Sequence, residues 1–200
     1  MSSSSVHTAA ARQRYDRFSM TLHWLTAASV VFLFGSAHVW ELLTRGTPLR
    51  KELQALHISC GILLAGVMLV RPLWRGYCQR TARLAMPPAA QSRHARWAAH
   101  SVHLLLYGLL FAQVALGFLF RWAQEEPFQF FGLFSVPPFF PVDPLMRHTF
   151  ADWHNSVAWA LIVLAGLHAL AALVHHYLLR DTVLRRMLPG VITRGSGEDR

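Results

Sequence analysis

Four long, nearly uncharged apolar stretches constrain this chain more than any other feature. They run over about residues 20–40, 53–74, 98–122 and 154–179. Roughly 20 mostly apolar residues are what an α-helix needs to cross the hydrocarbon of a bilayer. Six tryptophans, Trp24, Trp40, Trp74, Trp97, Trp122 and Trp153, fall at or near the ends of these stretches. That is where amphipathic indoles collect in membrane helices. The expected fold is therefore all-α, an integral-membrane four-helix bundle. Composition agrees: 54% of residues are hydrophobic and 14% charged, where a soluble domain carries about a quarter charged residues.

The net charge of +9 could point to nucleic acid, an anionic surface or anionic small molecules. The placement of the charges decides. Arg12, Arg14 and Arg17 precede the first stretch. Arg71, Arg75, Arg80, Arg83, Arg93 and Arg96 surround the second connection, and Arg180, Arg185, Arg186, Arg194 and Arg200 follow the fourth stretch. The opposite connections hold only Arg45, Arg50, Lys51, Arg121 and Arg147. The positive-inside rule then puts both termini in the cytoplasm, so topology accounts for the charge and no nucleic-acid partner is expected. A rival reading makes the first stretch a signal peptide, with Gly35-Ser36-Ala37 as its cleavage site. Against it, the run is as long as the other three and Trp40 closes its far end.

The tails, residues 1–13 and 190–200, are expected to be disordered, with Ser2 to Ser5 at one end and Gly195-Ser196-Gly197 at the other. Residues 123–152 form a long connection rich in Phe and Pro, expected on the outer membrane surface or capping the bundle. Cys60 and Cys78 do not suggest a disulfide, and no CxxCH is present for covalent haem attachment.

Histidine carries the functional signal. There are 12, against 10 acidic residues, and several lie inside apolar runs, where an ionisable group is expensive and usually has a purpose. His154 and His168 are 14 residues apart, which on a helix is about 21 Å of rise and within roughly 40° of the same face. One helix thus offers two imidazoles on one side, one toward each membrane surface. His57 lies at the outer depth of His154, and His23 at the inner depth of His168. Facing imidazoles are axial ligands for haem iron, so the expectation is two b-type haems, one between His57 and His154 and one between His23 and His168. Zinc, copper and non-haem iron also accept imidazole, but no carboxylate lies within the runs to complete a catalytic zinc or di-iron site. A haem-free transporter or anchor is the remaining class.

His100 and His103, at i and i+3 with Tyr107 continuing their face, could compete with His23 as ligand, or contact a haem propionate or a quinone carbonyl. An interfacial histidine pair is the plainer alternative. His175, seven residues after His168, is the better candidate for a quinone contact, with His176 beside it. His38 and His148 are read as interfacial, His7 and His94 as solvated. Gly61, Gly66, Gly108 and Gly117 are read chiefly as helix-packing positions.

Several segments resemble motifs of the prokaryotic cytochrome b561 family. Arg17-Phe18-Ser19-Met20-Thr21-Leu22-His23-Trp24-Leu25 is similar to its opening motif. Leu56-His57-Ile58-Ser59-Cys60-Gly61 with Val70-Arg71 is similar to its second, and His100-Ser101-Val102-His103 with Tyr107 to its third. Trp153-His154, Gly166-Leu167-His168, His175-His176-Tyr177 and Met187-Leu188-Pro189 resemble its fourth span and tail. The resemblance covers about residues 14–189. It implies a di-haem four-helix bundle in the bacterial inner membrane, with ligand positions matching His23, His57, His154 and His168. One branch of that family passes electrons from superoxide to ubiquinone, and its quinone-site histidine matches His175. Arg45, Arg50, Lys51 and Arg147 are then candidates for steering the anion. The alternative expectation is a cytochrome b subunit relaying electrons for a redox partner protein. The expected partners are thus membrane lipid, quinone, and superoxide or that protein.

Overall fold

The computed structural model describes residues 15–81, 93–125 and 127–188. The disordered-tail expectations and His7 lie outside these residues. Four helices are long and apolar enough to cross a membrane: α1 (Arg17–Glu41), α2 (Pro48–Arg80), α3 (Arg93–Ala123) and α4 (Arg147–Tyr177). The end of the bundle that carries Asp16 and the segment after α4 is called the inner end below.

Each helix begins where its sequence allows. The Asp16 side chain accepts the Ser19 N–H at 2.9 Å and the Ser19 hydroxyl at 2.6 Å, satisfying donors that the first turn leaves free. Trp74 Nε1–H also donates to Asp16, which ties α1 to α2 at the inner end. Burial pushes the Asp16 carboxyl upward, but the Ser19 and Trp74 hydrogen bonds outweigh it, and its pKa lies below the ordinary value. The carboxylate therefore stays ionised at neutral pH, and its contribution to stability is lost only as pH falls through that lowered pKa. Pro48 opens α2 at a position where no intrahelical N–H is needed. Pro72 sits inside α2, tolerable in a membrane helix whose neighbours can make good the lost bond.

The helices extend beyond the apolar runs because polar residues at the ends continue the helical hydrogen bonding outside the hydrocarbon. Two consequences matter. Arg71, Arg75 and Arg80 belong to α2 rather than to a loop, and His154 lies two turns inside α4 rather than at its start.

The bundle is two helical hairpins laid side by side. α1 packs along α2 and α3 along α4, while contacts between the hairpins are sparse. They meet at a buried layer of three leucines, Leu64, Leu110 and Leu161, one each from α2, α3 and α4, with Val30 and Leu33 of α1 against it. The layer is in register with functional residues at sevenfold spacing: His57–Leu64–Arg71 on α2, His103–Leu110–Gly117 on α3, His154–Leu161–His168–His175 on α4. Seven residues return to nearly the same face, drifting only about 20°. One stripe per helix thus carries a polar site, the leucine layer, then a second polar site about 10 Å further along.

The Phe- and Pro-rich connection forms a short antiparallel hairpin, β1 (Phe128–Phe130) and β2 (Phe134–Val136), with Phe130 opposite Phe134. Its turn places Phe131 (φ 47°) and Gly132 (φ 72°) in the left-handed region, a conformation glycine adopts without strain. β1 packs against α2. Phe128 is buried near Phe118, and Trp122 meets Phe139 and Phe140 edge-on. Leu133, Phe134 and Phe139 are exposed, so the hairpin fastens to the bundle by one side and turns aromatic groups outward with the other.

Candidate functional site

At the outer end, α2 and α4 bring His57 and His154 together with ring centroids 6.4 Å apart and planes at 68°. At the inner end, α1 and α4 bring His23 and His168 together at 6.5 Å and 77°. Both pairs bridge the two hairpins. An iron held at about 2 Å from one nitrogen of each ring, with each ring centre roughly 1.1 Å further back, separates the centroids by about 6.3 Å. Both observed spacings fit. His103 also approaches His168, but at 5.2 Å between centroids. That is too short for a metal between the rings and makes His103 a packing neighbour of the inner pair.

The outer imidazoles are already oriented. The Ser36 hydroxyl donates to the Leu33 carbonyl at 3.0 Å, so the 3.0 Å contact between Ser36 Oγ and His57 Nδ1 has the imidazole as donor. His154 Nδ1–H donates to the Gln113 carbonyl at 3.1 Å. Each ring therefore presents an Nε2 lone pair. Such partners, fixing tautomer and ring direction, are the usual surroundings of metal-ligating histidine. The Gln113 side-chain amide reaches His154 Nε2 at 3.0 Å, and its Oε1 is buried without a partner. The amide is thus poorly satisfied where it stands, and a metal at that nitrogen would displace a weakly held partner.

Gly117 of α3 faces the same ring. A Cβ there would stand 3.2 Å from His154 Cε1, whereas Gly61, Gly66 and Gly108 would meet nothing within 4 Å. The packing expectation thus narrows to one glycine, which makes room for the His154 ring. Trp40 covers His57, with centroids 4.8 Å apart.

The outer hairpin is clamped about half a turn from His57. Ser59, only 2% exposed, accepts the Phe131 N–H at 2.9 Å and donates to the Gln129 carbonyl at 3.3 Å. Removing a buried hydroxyl that satisfies a backbone N–H costs about 1–3 kcal/mol. Ser59→Ala should therefore raise amide exchange across β1 and β2 at least several-fold while α1 to α4 stay protected. Unchanged exchange in the hairpin would mean that the clamp does not hold it.

At the inner end Arg180 adopts a left-handed conformation (φ 51°) and the chain folds back. The Asp181 N–H donates to the His175 carbonyl at 3.0 Å, and His175 Nδ1 lies 2.5 Å from the Asp181 carboxylate. Slight burial works to raise the Asp181 carboxyl. Hydrogen bonds from His175 and the Val183 N–H, with the positive charges of His175 and Arg186, outweigh it and hold the carboxyl below its ordinary value. Beyond it, the Met187 carbonyl accepts Trp24 Nε1–H at 2.8 Å, so the segment closes back onto α1. His94, His100 and His148 are exposed, as is the residue His103 outside its contact with His168. His38 donates through Nδ1 to the Phe34 carbonyl and packs on Trp159.

Gln113, Ser36 and Asp181 were not singled out from sequence. Gln113 had a usable signal, being the one side-chain amide within the apolar part of α3. Ser36 was weighed only as part of a cleavage site. Nothing local marks Asp181, whose partner depends on the chain reversal at Arg180. Among the described residues, no group of three or more His, Cys, Asp or Glu could hold a metal ion.

Comparison with known proteins adds the family. The family model described as prokaryotic cytochrome b561 matches residues 14–190. "Cytochrome b561 homolog 2" of Escherichia coli (strain K12) is 34% identical over 180 residues, covering 88% of this chain and 92% of that protein. "Probable superoxide oxidase CybB" of Yersinia pestis is 28% identical over 179 residues, covering 88% and 97%. "Cytochrome b561 homolog 1" of Escherichia coli (strain K12) is 26% identical over 176 residues, covering 88% and 97%.

Proposed function

The chain belongs to the prokaryotic cytochrome b561 family of membrane haem proteins, and from that premise we propose that it is a di-haem cytochrome of the bacterial inner membrane that oxidises superoxide and reduces ubiquinone. The observation that carries this reading is the pair of imidazole gaps, 6.4 and 6.5 Å, at opposite ends of one leucine layer. His57 and His154 would hold one haem and His23 and His168 the other. Haem between paired imidazoles supplies one-electron redox chemistry at a potential set by its ligands and surroundings. Both termini are read as cytoplasmic from the basic residues at the inner end.

The stoichiometry is two superoxide ions giving up one electron each and released as O2, while one quinone takes two electrons and two protons to become the quinol. At the outer end, Arg45, Arg50, Lys51 and Arg147 raise the local concentration of an anion. At the inner end, His175 offers Nε2 to a quinone oxygen, because Asp181 holds its other nitrogen. A carboxylate in that position orients the ring and fixes which nitrogen faces outward. His100 and His103 stand as further quinone or propionate contacts at that end. The homologue named as a probable superoxide oxidase supports the donor assignment.

A second reading keeps the haems and makes the chain a relay for a redox partner protein. The exposed apolar groups of the outer hairpin and the chain just after it, Leu133, Phe134 and Phe139, favour it as a surface that a protein could cover. Stopped-flow mixing of purified, haem-replete protein with superoxide and a short-chain ubiquinone separates the two. The expected result is two superoxide consumed per quinol formed, with His175→Ala slowing quinol formation roughly tenfold or more while both haems remain. Haem-replete protein that superoxide fails to reduce would sink the superoxide assignment and leave the relay.

A further inference from the structure

Among the described residues, Arg71 is a charge without a counter-charge inside the bundle. It lies two turns along α2 from the leucine layer, half-buried, on the stripe that carries His57 and Leu64. Its guanidinium reaches Thr26 Oγ1 at 3.4 Å and His23 Nδ1 at 3.5 Å, and it lies over the Tyr107 ring at 5.3 Å from the centroid. Among the described residues no carboxylate partners it. A cation inside a membrane protein normally pairs with an anion or borders a polar cavity. The contacts here are long, and the one to His23 becomes unfavourable once His23 ligates a metal through Nε2. Nδ1 then carries its hydrogen, and two donors face one another across 3.5 Å. Only an acceptor between them satisfies both.

Space and further charge lie alongside. Tyr107, which Arg71 covers, also lines a cavity of about 240 Å³ together with Pro72, Arg75, Gly76 and Gln79. We propose that Arg71 is the intramembrane counter-ion of a haem carboxylate, a propionate of the haem held by His23 and His168, with Arg75 and the Tyr107 cavity as the rest of the anion site. This rests on the haem assignment above and adds to it a charged partner for the cofactor. An unpaired propionate would disfavour electron gain at the inner site, and the guanidinium removes that penalty.

Potentiometric titration of the wild type, Arg71→Gln and Arg71→Lys tests it, with haem per chain counted in the same preparations. Infrared redox difference spectra on haem carrying ¹³C-labelled propionates complete the set. In Arg71→Gln the inner haem should become at least tenfold harder to reduce, a fall of about 59 mV for one electron. The outer haem should not move, Arg71→Lys should recover most of the loss, and the labelled carboxylate bands should shift. Unchanged inner potential and unchanged bands in Arg71→Gln would overturn the proposal. So would a shifted potential with unmoved propionate bands, since the anion at Arg71 would then come from elsewhere, such as a lipid headgroup. If Arg71→Gln sheds the inner haem, Arg71→Lys decides: displaced propionate bands support the proposal and unmoved bands overturn it. Wild-type protein without an inner haem fails the haem assignment itself, which the count reveals separately.

Discussion

His57→Ala and His168→Ala should each carry one haem per chain where the wild type should carry two. The loss follows from the proposed pairing: each substitution would remove one of the two imidazoles that would hold that haem. The sites are about 20 Å apart along α4 with a packed leucine layer between them, so loss of one should leave the other's spectrum and potential nearly intact. His154→Ala should behave as His57→Ala, and His23→Ala as His168→Ala. The pairing is refuted if His57→Ala and His154→Ala remove different haems, or if either removes both from a chain that remains folded. His103→Ala, by contrast, should retain both, because its ring lies too close to His168 for a metal between them.

Gly117→Val should lose the outer haem and keep the inner one. A Cβ at 3.2 Å from His154 Cε1 forces the ring to give, yet the ring is anchored through Nδ1 to the Gln113 carbonyl on the same helix as the glycine. It cannot retreat without breaking the bond that sets its tautomer. Disturbing such a support weakens metal binding roughly 10–100-fold, and valine's two methyls add bulk beyond the bare Cβ. Haem titration into the variant would read this as outer-site affinity lowered by that range with inner-site affinity unchanged. Gly66→Ala and Gly108→Ala, where an added Cβ meets nothing within 4 Å, are the matched controls and should bind both haems normally. Equal effects at all three glycines would mean that the contact to His154 is not what matters.

Much of this was legible because bilayer physics simplifies the reading. Apolar length announced four helices, and an imidazole inside an apolar run stands out as an aspartate on a soluble surface does not. Depth could be counted from the run ends, which put His57 level with His154, and His23 level with His168 with His103 as a competitor, without a contact map. What escaped depended on rotation and on chain reversal. Which of His23 and His103 faces His168 at metal distance depends on how α1 and α3 turn about their axes, and periodicity within one helix says nothing of its neighbour's azimuth. Ser59 stood inside a recognised motif, but its grip on the hairpin needs a backbone 70 residues away. Arg71 was counted with the charges of the second connection although the apolar run was drawn past it to about residue 74, because a basic residue near a run's end reads as a topology signal. The helix continues, and its face rather than its position along the chain decides that the guanidinium points at His23.

Electron paramagnetic resonance of the oxidised, purified wild-type protein, with spins counted against chains, tests the central claim most directly. The paired imidazole planes cross at 68° and 77°, and crossed axial imidazoles give strongly anisotropic low-spin ferric signals. The account predicts two such centres per chain. A single centre, or high-spin iron with one imidazole or none, would contradict it.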